Sequence, residues 1–241
     1  MAARIAHINL ARGYRGGERQ TELLMRHLAA AGLHQVLVAR RNSPLIERLA
    51  DANIEIRAVS GSLPAAVRAA GGVDLVHSHE GRGVYAAWLR SLLSGTPYII
   101  TRRVNNPLGT GFITRMAYRR AACVASVARH VADVVSDYDG RINSAVVHSG
   151  SSGLAADPSV VASIRARFPG KWLVGHVGAL DNRQKGQDGI IEVARRLQTS
   201  HPDIQFVLVG GGADEQMLRD LAADLHNLVF TGFVENVGDY L

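Results

Sequence analysis

The stretch Val174-Gly-His-Val-Gly-Ala-Leu-Asp-Asn-Arg-Gln-Lys-Gly186 leads from an apolar strand through a cationic loop to the start of a helix. Glycine lets a ligand approach the backbone, and the free N–H groups at a helix start attract phosphate. Arg183 and Lys185 add positive charge to the loop, so a diphosphate would suit this turn. The spacing differs from the GxxxxGK[ST] pattern, which excludes a Walker-type phosphate loop. The stretch therefore predicts an anion-binding turn between a strand and a helix of an α/β domain.

The alternation of strand and helix continues to the end of the chain. Such alternation is typical of an open, doubly wound sheet, and three strands are too few to complete one. We therefore predict an incomplete Rossmann-like domain over residues 171–241, in which the first strand is an exposed apolar edge. The predicted strands are Lys171–Val177, Gln205–Val209 and Leu228–Thr231, the predicted helices are Gln187–Gln198 and Asp214–Leu225, and a final helix starts near Glu235.

Residues 1–150 show a longer alternation of β-branched runs and amphipathic stretches, which predicts a parallel sheet with right-handed crossovers. The expected fold class is therefore α/β with two Rossmann-like domains, the second incomplete, and with residues 151–170 as the interdomain connection and a helix. The predicted strands are Arg4–Leu10, Gln35–Ala39, Ile54–Val59, Val73–His77, Tyr98–Thr101, Ala122–Ser126 and Ser144–His148, and the predicted helices are Gly17–Ala31, Arg82–Leu93, Ile113–Arg120 and Ala128–Tyr138.

The net charge changes sign at the predicted domain boundary. Residues 1–150 hold 19 arginines and 10 acidic residues, a net charge of +9, whereas residues 151–241 hold 8 basic and 11 acidic residues, a net charge of −3. The small-residue segment Ser149–Gly153 lies at this change, and we interpret it as the start of the connection. The positive charge of the first half indicates either an anionic partner or ordinary solvation, and both interpretations stay open.

Composition narrows the class of protein. With 47% hydrophobic and 20% charged residues, the chain is expected to be globular rather than disordered. Cys123 is the only cysteine, so no internal disulfide can form and a reducing compartment is favoured. No apolar run approaches the roughly 18 residues of a membrane span, and Arg12 and Arg15 interrupt any signal-peptide core. These features predict a cytoplasmic protein.

Three polar motifs of the first half lie where ligands of open α/β sheets gather, at strand ends and helix starts. Gly16-Gly17-Glu18 opens the first helix and is either a ligand contact or a plain turn. His77-Ser-His-Glu80 is interpreted as a polar strand end that lines a cleft, and because no third spaced ligand is evident we expect no metal site. Arg102 and Arg103 follow the next strand as either an anion clamp or a solvated pair.

Arg115, Arg119 and Arg120 lie on an otherwise apolar helix that also carries Phe112 and Ile113. Cations beside exposed apolar side chains are typical of a surface that rests on anionic lipid. The alternative is that the apolar stripe of this short helix belongs to the core.

Two further functions are not expected. Val209-Gly-Gly-Gly-Ala213 is only loosely similar to the GxGxxG pattern and lacks a suitable acidic residue downstream, which argues against a dinucleotide site. The basic residues lack interleaved aromatic side chains, so nucleic acid is not an expected partner.

Six motifs occur in a fixed order along nearly the whole chain. They are Gly16-Gly17-Glu18, Asp74-Leu-Val-His-Ser-His-Glu80, Val147-His-Ser-Gly150, Gly175-His-Val-Gly-Ala-Leu180 with Lys185-Gly186, Pro202-Asp-Ile-Gln-Phe-Val-Leu-Val-Gly-Gly-Gly212 and Phe230-Thr-Gly-Phe-Val-Glu-Asn-Val237. In this order they resemble family 4 of the glycosyltransferases, the group 1 transferases of the GT-B fold.

The resemblance implies transfer of a sugar, with retention of configuration, from a nucleoside diphosphate donor to a glycan or lipid-linked acceptor of the cell envelope, such as lipopolysaccharide. It implies no cofactor and no essential metal. It places the donor beside Gly178, Arg183 and Lys185, with Lys185 on the diphosphate, and beside the backbone of Gly232, Phe233 and Val234 near the nucleobase. It places the acceptor in the basic first domain, along a cleft lined by Gly16, Gly17, His79, Glu80, Arg102 and Arg103.

Two positions depart from the family pattern. Ala179 stands where an arginine often follows the strand glycine, and Arg103 stands where many members carry a histidine. The glutamate-rich segment of the donor site is expected after Leu241, so no catalytic residue is named and the 241-residue chain itself is expected to be inactive. The alternatives are a sugar-nucleotide epimerase of the same architecture and a non-catalytic module that binds an anionic lipid or glycan.

Overall fold

A computed structural model describes residues 3–150 and 153–241 of the chain. The chain divides into two compact units, residues 1–152 and 153–241. The division falls within the predicted connecting segment, of which Ser151 and Ser152 lie outside the described residues. Each unit is α/β, as the alternation of strands and helices predicted.

In the first unit seven parallel strands form one sheet in the order β3-β2-β1-β4-β5-β6-β7. Every predicted strand and helix of this half is present, with ends that differ by no more than two residues. The strands are β1 (Arg4–Asn9), β2 (His34–Arg40), β3 (Glu55–Val59), β4 (Leu75–Ser78), β5 (Tyr98–Arg102), β6 (Cys123–Ser126) and β7 (Ser144–Val146), and the helices are α1 (Gly16–Ala30), α2 (Pro44–Arg48), α3 (Leu63–Ala69), α4 (Gly81–Ser94), α5 (Phe112–Arg119) and α6 (Arg129–Tyr138).

The two short helices α2 and α3 were not predicted. With five and seven residues they are too short to show helical periodicity in the sequence. Each follows a serine at the N-cap position and carries a proline in its first turn, namely Pro44 and Pro64. Because proline is favoured in the first turn of a helix, these were the available signals.

The two faces of the central strands differ in polarity. Ala6 and Ile8 of β1 and Val76 of β4 are fully buried in the main hydrophobic core, which also contains side chains of α3 and α4. His7 and His77 alternate with these residues and therefore point to the opposite face, where they are also buried. Parallel sheets are normally apolar on both faces, so this buried polar region is unusual for such a sheet.

The second unit contains a three-stranded parallel sheet in the order β10-β9-β8. Its core packs Leu180, Ile191, Leu208 and Leu218 between the sheet and two helices. The elements are α7 (Pro158–Ala166), β8 (Trp172–Val177), α8 (Asn182–Lys185), α9 (Gln187–Leu197), β9 (Ile204–Val209), α10 (Glu215–Leu221), β10 (Leu228–Gly232) and a 3₁₀ helix, Val237–Tyr240.

Strand β8 lies at the edge of this sheet, which confirms the predicted apolar edge. It pairs with β9 along its whole length, and no described strand lies on its other side. Trp172 is 74% exposed, and Leu173 and Val174 are also exposed. By contrast, β1, which is the first strand of the sheet in the first unit, pairs with β2 on one side and with β4 on the other and is largely buried.

Three predictions for the second unit need correction. The loop that carries Arg183 and Lys185 forms the short helix α8, which Gly186 ends with a φ of 65°. The helix predicted over Asp214–Leu225 ends at Leu221, because the chain then turns and buries Leu225 in the core. The final helix is a four-residue 3₁₀ helix, because the side chain of Asn236 accepts the Gly238 N–H and forms a tight local turn.

Candidate functional site

The carboxyl ends of β8, β9 and β10 meet through direct backbone contacts. The N–H of Gly210 donates to the carbonyl of Gly232 at 2.9 Å. A Cβ atom on Gly210 would overlap the carbonyl of Gly178, and one on Gly212 would overlap that of Leu180. The glycines at 210 and 212 therefore allow the loops to pack at backbone distance, which explains a glycine run that does not fit a dinucleotide motif.

Lys185 lies at the end of α8, beside the end of β8. Its Cε atom is 3.8 Å from the place that a Cβ would occupy on Gly178. The side chain is exposed, and no described residue forms a hydrogen bond or ion pair with its ammonium group. The charge of Lys185 is therefore available to a ligand above the end of the strand.

The turn around α8 is fixed by neighbouring residues. The N–H of Asn182 donates to Oδ2 of Asp214 at 2.8 Å, and Nε2 of the buried Gln187 donates to the carbonyl of Ala179 at 2.9 Å. Arg183 lies in the same turn and is exposed. The backbone of the turn is thus held in place while its two cationic side chains face solvent.

Phe233 lies beside these loops, just after β10. Gly232 has a φ of 72°, which a residue with a side chain rarely adopts, and it turns the chain away from the strand. The Phe233 ring is 81% exposed, and its backbone nitrogen is 3.9 Å from the Cβ position of Gly211. Val234 is half-buried. An exposed aromatic ring can stack on a planar ligand group.

His176 of β8 also belongs to this region and was not predicted as a site residue. Its Cε1 atom is 3.6 Å from the Cβ position of Gly178, and its Nδ1 atom is buried without a hydrogen-bond partner among the described residues. The available signal was a polar side chain within an otherwise apolar strand.

In the first unit, three histidines form a buried cluster at the carboxyl ends of β1 and β4. His7 and His77 are paired positions of the two strands, and His79 follows two residues later. Nδ1 of His7 is 2.9 Å from Nε2 of His79, and Nε2 of His77 is 2.7 Å from Oγ1 of Thr101. His7 was not predicted as part of this site. The signal was available in the strand order, since the first and fourth strands of a doubly wound sheet are neighbours.

Burial keeps the three imidazoles neutral. Desolvation lowers the pKa of His7 to about 4 and the pKa of His77 to about 3, and it also lowers the pKa of His79. Repulsion from Arg103, and from a neighbouring ring whenever that ring is protonated, lowers the His77 and His79 pKa values further. Gln35 acts in the opposite direction on the His7 pKa, through a side-chain interaction.

Arg103 lies against the cluster and against the start of α1. One guanidinium nitrogen donates to the carbonyl of His79 at 3.1 Å, and the other is 3.5 Å from Nδ1 of the same residue. The Arg103 Cδ atom is 3.7 Å from the Cβ position of Gly17. Burial lowers the Arg103 pKa, while Glu18 acts in the opposite direction. No described carboxylate forms an ion pair with Arg103, so an anionic group would be favoured here.

The other predicted site residues of the first unit have different surroundings. Gly16 is open on its side-chain face. Glu80 caps α4, since its carboxylate accepts the N–H groups of Arg82 at 2.7 Å and Gly83 at 2.6 Å. The buried Arg102 donates to the carbonyl of Asn106. The structure thus brings Gly17, His79 and Arg103 together, whereas the side chains of Glu80 and Arg102 bind protein groups.

Three histidines are a familiar ligand set for zinc, and candidate ligand atoms of His7, His77 and His79 lie within 4.8 Å of one another. A metal-bound imidazole normally donates its second N–H to an acceptor. Nδ1 of His79 instead faces the guanidinium of Arg103, which is a cationic donor. The surroundings therefore fit hydrogen-bonded imidazoles better than a divalent cation.

The surface of α5 combines apolar and basic side chains. Phe112 is 77% exposed and Ile113 is also exposed. Arg115 lies over the ring of Tyr138 at 5.4 Å, and Arg119 is 3.6 Å from a carboxylate oxygen of Asp139. Phe112 and Ile113 thus face solvent, whereas Ala117 and Tyr118 of the same helix belong to the core, so each interpretation describes part of the helix.

Arg120 is exposed at the C-terminal end of α5. Across residues 3–150 and 153–241, no helix has both the length and the apolar character that a membrane span requires.

Comparison with known proteins shows what the second part of the chain is similar to. Residues 161–241 match the family described as glycosyl transferases group 1. A phosphatidyl-myo-inositol mannosyltransferase of Propionibacterium freudenreichii is 29% identical over 148 residues, which cover 59% of this chain and 38% of that protein. The chain therefore spans well under half the length of this relative.

Solved structures show the same fold over nearly the whole chain. HepE of Anabaena in complex with UDP-glucose superposes with a TM-score of 0.82 at 16% identity, covering 99% of this chain and 71% of that one. MnaA of S. aureus in complex with UDP superposes with a TM-score of 0.61 at 16% identity, covering 100% and 70%. The fold is thus of the GT-B type, as the motifs of group 1 transferases predicted.

Proposed function

We propose that the protein transfers a sugar, with retention, from a nucleoside diphosphate donor to a glycan or lipid-linked acceptor of the cell envelope, and that it does so without an essential metal. Three features support this proposal: the group 1 family of residues 161–241, the GT-B fold of both units, and an unpartnered lysine at the carboxyl end of β8. The solved structure of HepE holds UDP-glucose, which favours a uridine nucleotide as the first donor to test.

The exposed ammonium group of Lys185 is the observation that most directly supports the proposal. Its ammonium group lies beside a strand-end glycine in a turn whose backbone is fixed by its neighbours. We assign the donor diphosphate to Lys185, with Gly178 and Arg183 beside it, because a diphosphate there would meet exposed positive charge without displacing a protein carboxylate. We assign the nucleobase to the region of Gly232, Phe233 and Val234, where an exposed ring offers a stacking surface.

The chain offers a matched control, because its only other lysine, Lys171, already donates to the carbonyl of Pro202. Lys185→Ala is expected to weaken UDP-glucose binding about tenfold or more, the loss typical of a hydrogen bond to a charged group, while Lys171→Ala leaves it unchanged. Isothermal titration calorimetry measures both. Equal affinities of the wild type and the Lys185→Ala variant for UDP-glucose would contradict the assignment of the donor diphosphate to Lys185.

We assign the acceptor to the first unit, at the start of α1 and around Arg103. Gly16 and Gly17 leave room beside the helix start, and Arg103 is a half-buried cation without a carboxylate partner among the described residues. The net charge of +9 in residues 1–150 suits an acceptor that carries phosphate or carboxylate groups. Release of free nucleotide without transfer to any acceptor would instead favour the epimerase alternative.

We further propose that the surface of α5 rests on an anionic membrane. Phe112 and Ile113 are exposed next to Arg115, Arg119 and Arg120, and the last three side chains extend the positive charge of the first unit. Reversal of charge at Arg115 and Arg119 to Glu is expected to abolish sedimentation with vesicles that contain phosphatidylglycerol.

The control for this membrane test is Arg68→Glu combined with Arg129→Glu, which changes the charge of the same unit equally at two other exposed positions. Equal loss of vesicle binding in both double variants would show a general charge effect and remove the assignment to α5. Strong vesicle binding without any nucleotide affinity would favour the non-catalytic alternative.

A further inference from the structure

One face of the sheet in the first unit carries a continuous row of polar side chains. Gln35 of β2, His7 of β1, His79 after β4 and Arg103 after β5 all lie on this face, because alternate residues of paired parallel strands share a face. The row ends at Gly17, at the start of α1. Its members are far apart in the chain, and only the sheet brings them together.

The hydrogen-bond roles along this row follow from Arg103. A guanidinium can only donate, so Nδ1 of His79 must be the acceptor of that contact. A neutral His79 then carries its proton on Nε2 and donates it to Nδ1 of His7 at 2.9 Å. His7 in turn carries its proton on Nε2.

Gln35 forms the end of the row that lies opposite Arg103. The Nε2 atom of His7 and the Oε1 atom of Gln35 are both buried without a partner within hydrogen-bond distance, and Gln35 is the side chain that raises the His7 pKa. The amide nitrogen of Gln35 is already used, since it donates to the carbonyl of Met25 at 2.9 Å. The oxygen of Gln35 therefore remains as the group that can accept from Nε2 of His7.

We propose that His79, backed by His7 and Gln35, is a positioning residue that holds the Arg103 guanidinium next to Gly17 for an anionic group of the substrate. The inference rests on the proposed function, since it names the residues that prepare the acceptor-side cation. His79 fixes Arg103 twice, through its carbonyl at 3.1 Å and its ring at 3.5 Å. Such support lowers the conformational entropy that a long arginine side chain loses on binding.

The test uses inorganic pyrophosphate as the anion and follows the Nε–H resonance of Arg103 in the full chain by NMR. His79→Ala is expected to weaken pyrophosphate binding about tenfold. His79→Asn is expected to recover most of the affinity, because the asparagine carbonyl oxygen can accept from Arg103 in place of Nδ1. His77→Gln is the matched control, since His77 is hydrogen-bonded to Thr101 and makes no hydrogen bond to Arg103.

Three results would overturn the proposal. One is unchanged pyrophosphate affinity in a folded His79→Ala variant, and another is equal weakening by His77→Gln and by His79→Ala, which would indicate a purely structural role. The third is stoichiometric Zn²⁺ uptake in equilibrium dialysis that is lost in His79→Ala, because the ring nitrogens would then be metal ligands.

The result is separable from the proposed function. UDP-glucose binding through Lys185 is expected to stay unchanged in all three histidine variants. Absence of UDP-glucose binding in the wild type, combined with His79-dependent pyrophosphate binding, would contradict the transferase proposal and leave the positioning role standing.

Discussion

At the scale of single residues, the polar side chains of the first unit are of two kinds. Glu80 and Arg102 are engaged by protein groups, so their first effect is on stability. Arg103 has hydrogen bonds that hold it but no described counter-charge, which leaves it able to bind a ligand. The three histidines are neutral because they are buried, and this has a consequence for stability as a function of pH.

Lowering the pH from 7 to 5 is expected to destabilise the first unit. The His7 pKa is about 4 and the His77 pKa about 3 in the folded state, both below the ordinary value of 6.5. Below about pH 6.5 the unfolded chain therefore takes up protons that the folded chain does not, and stability falls as the pH approaches 4. The slope reaches about 1.4 kcal/mol per pH unit for each such histidine.

Urea unfolding at pH 7 and pH 5 measures this effect, with Trp88 as the probe in a Trp172→Phe background. His77→Gln is expected to reduce the pH dependence, because it removes one of the buried imidazoles. A free energy of unfolding that is equal at pH 7 and pH 5 would contradict the assignment of neutral, buried imidazoles.

Replacement of Glu80 by Ala is expected to lower the free energy of unfolding by about 1–2 kcal/mol, because α4 loses its N-cap. The carboxylate accepts three backbone N–H groups, including that of Leu10 at 3.3 Å. Chemical denaturation of Glu80→Ala and of the exposed control Asp133→Ala compares the two. Unchanged stability with reduced pyrophosphate affinity would instead favour the cleft role that the sequence motif predicted for Glu80.

At the scale of elements, the second unit depends on close packing of its strand ends. Gly212→Ala is expected to destabilise this unit by more than about 2 kcal/mol, because the added methyl group overlaps the Leu180 carbonyl. Gly211→Ala is the control, since its methyl group would make an ordinary contact of 3.5 Å with Glu215. Thermal unfolding followed by circular dichroism compares them, and equal midpoints would contradict the packing described for the loops.

At the scale of the whole molecule, the open edge of β8 is expected to drive self-association of the 241-residue chain. Unpaired backbone groups and exposed apolar side chains, Trp172 and Val174 among them, form a template for another strand. Val174→Lys is expected to keep the chain monomeric to higher concentration in light scattering. Leu93→Lys is the control, since Leu93 is 73% exposed on α4, and equal effects would argue against the edge.

Much of the architecture could be predicted because local patterns fix it. The alternation of apolar strands with amphipathic helices was readable in windows of ten to twenty residues, whereas the short helix α8 in the turn around Lys185 was not. The short helices α2 and α3 were not predicted, because segments of five or seven residues are too short to show a helical period in the sequence. The 3₁₀ helix at Val237–Tyr240 was missed because a side-chain cap, rather than periodicity, decides it.

The sequence by itself determined the α/β class, the two-part organisation and the order of motifs that resembles the group 1 glycosyltransferases. Tertiary structure alone decided which of the polar residues act together. His7 and His79 are 72 positions apart and meet through the register of β1 and β4, and Arg103 joins them from β5. The repeat of apolar and polar residues along the chain fixes the face of a strand or helix on which a side chain lies. Which side chains become its neighbours depends instead on how strands that are distant in the sequence pair with one another.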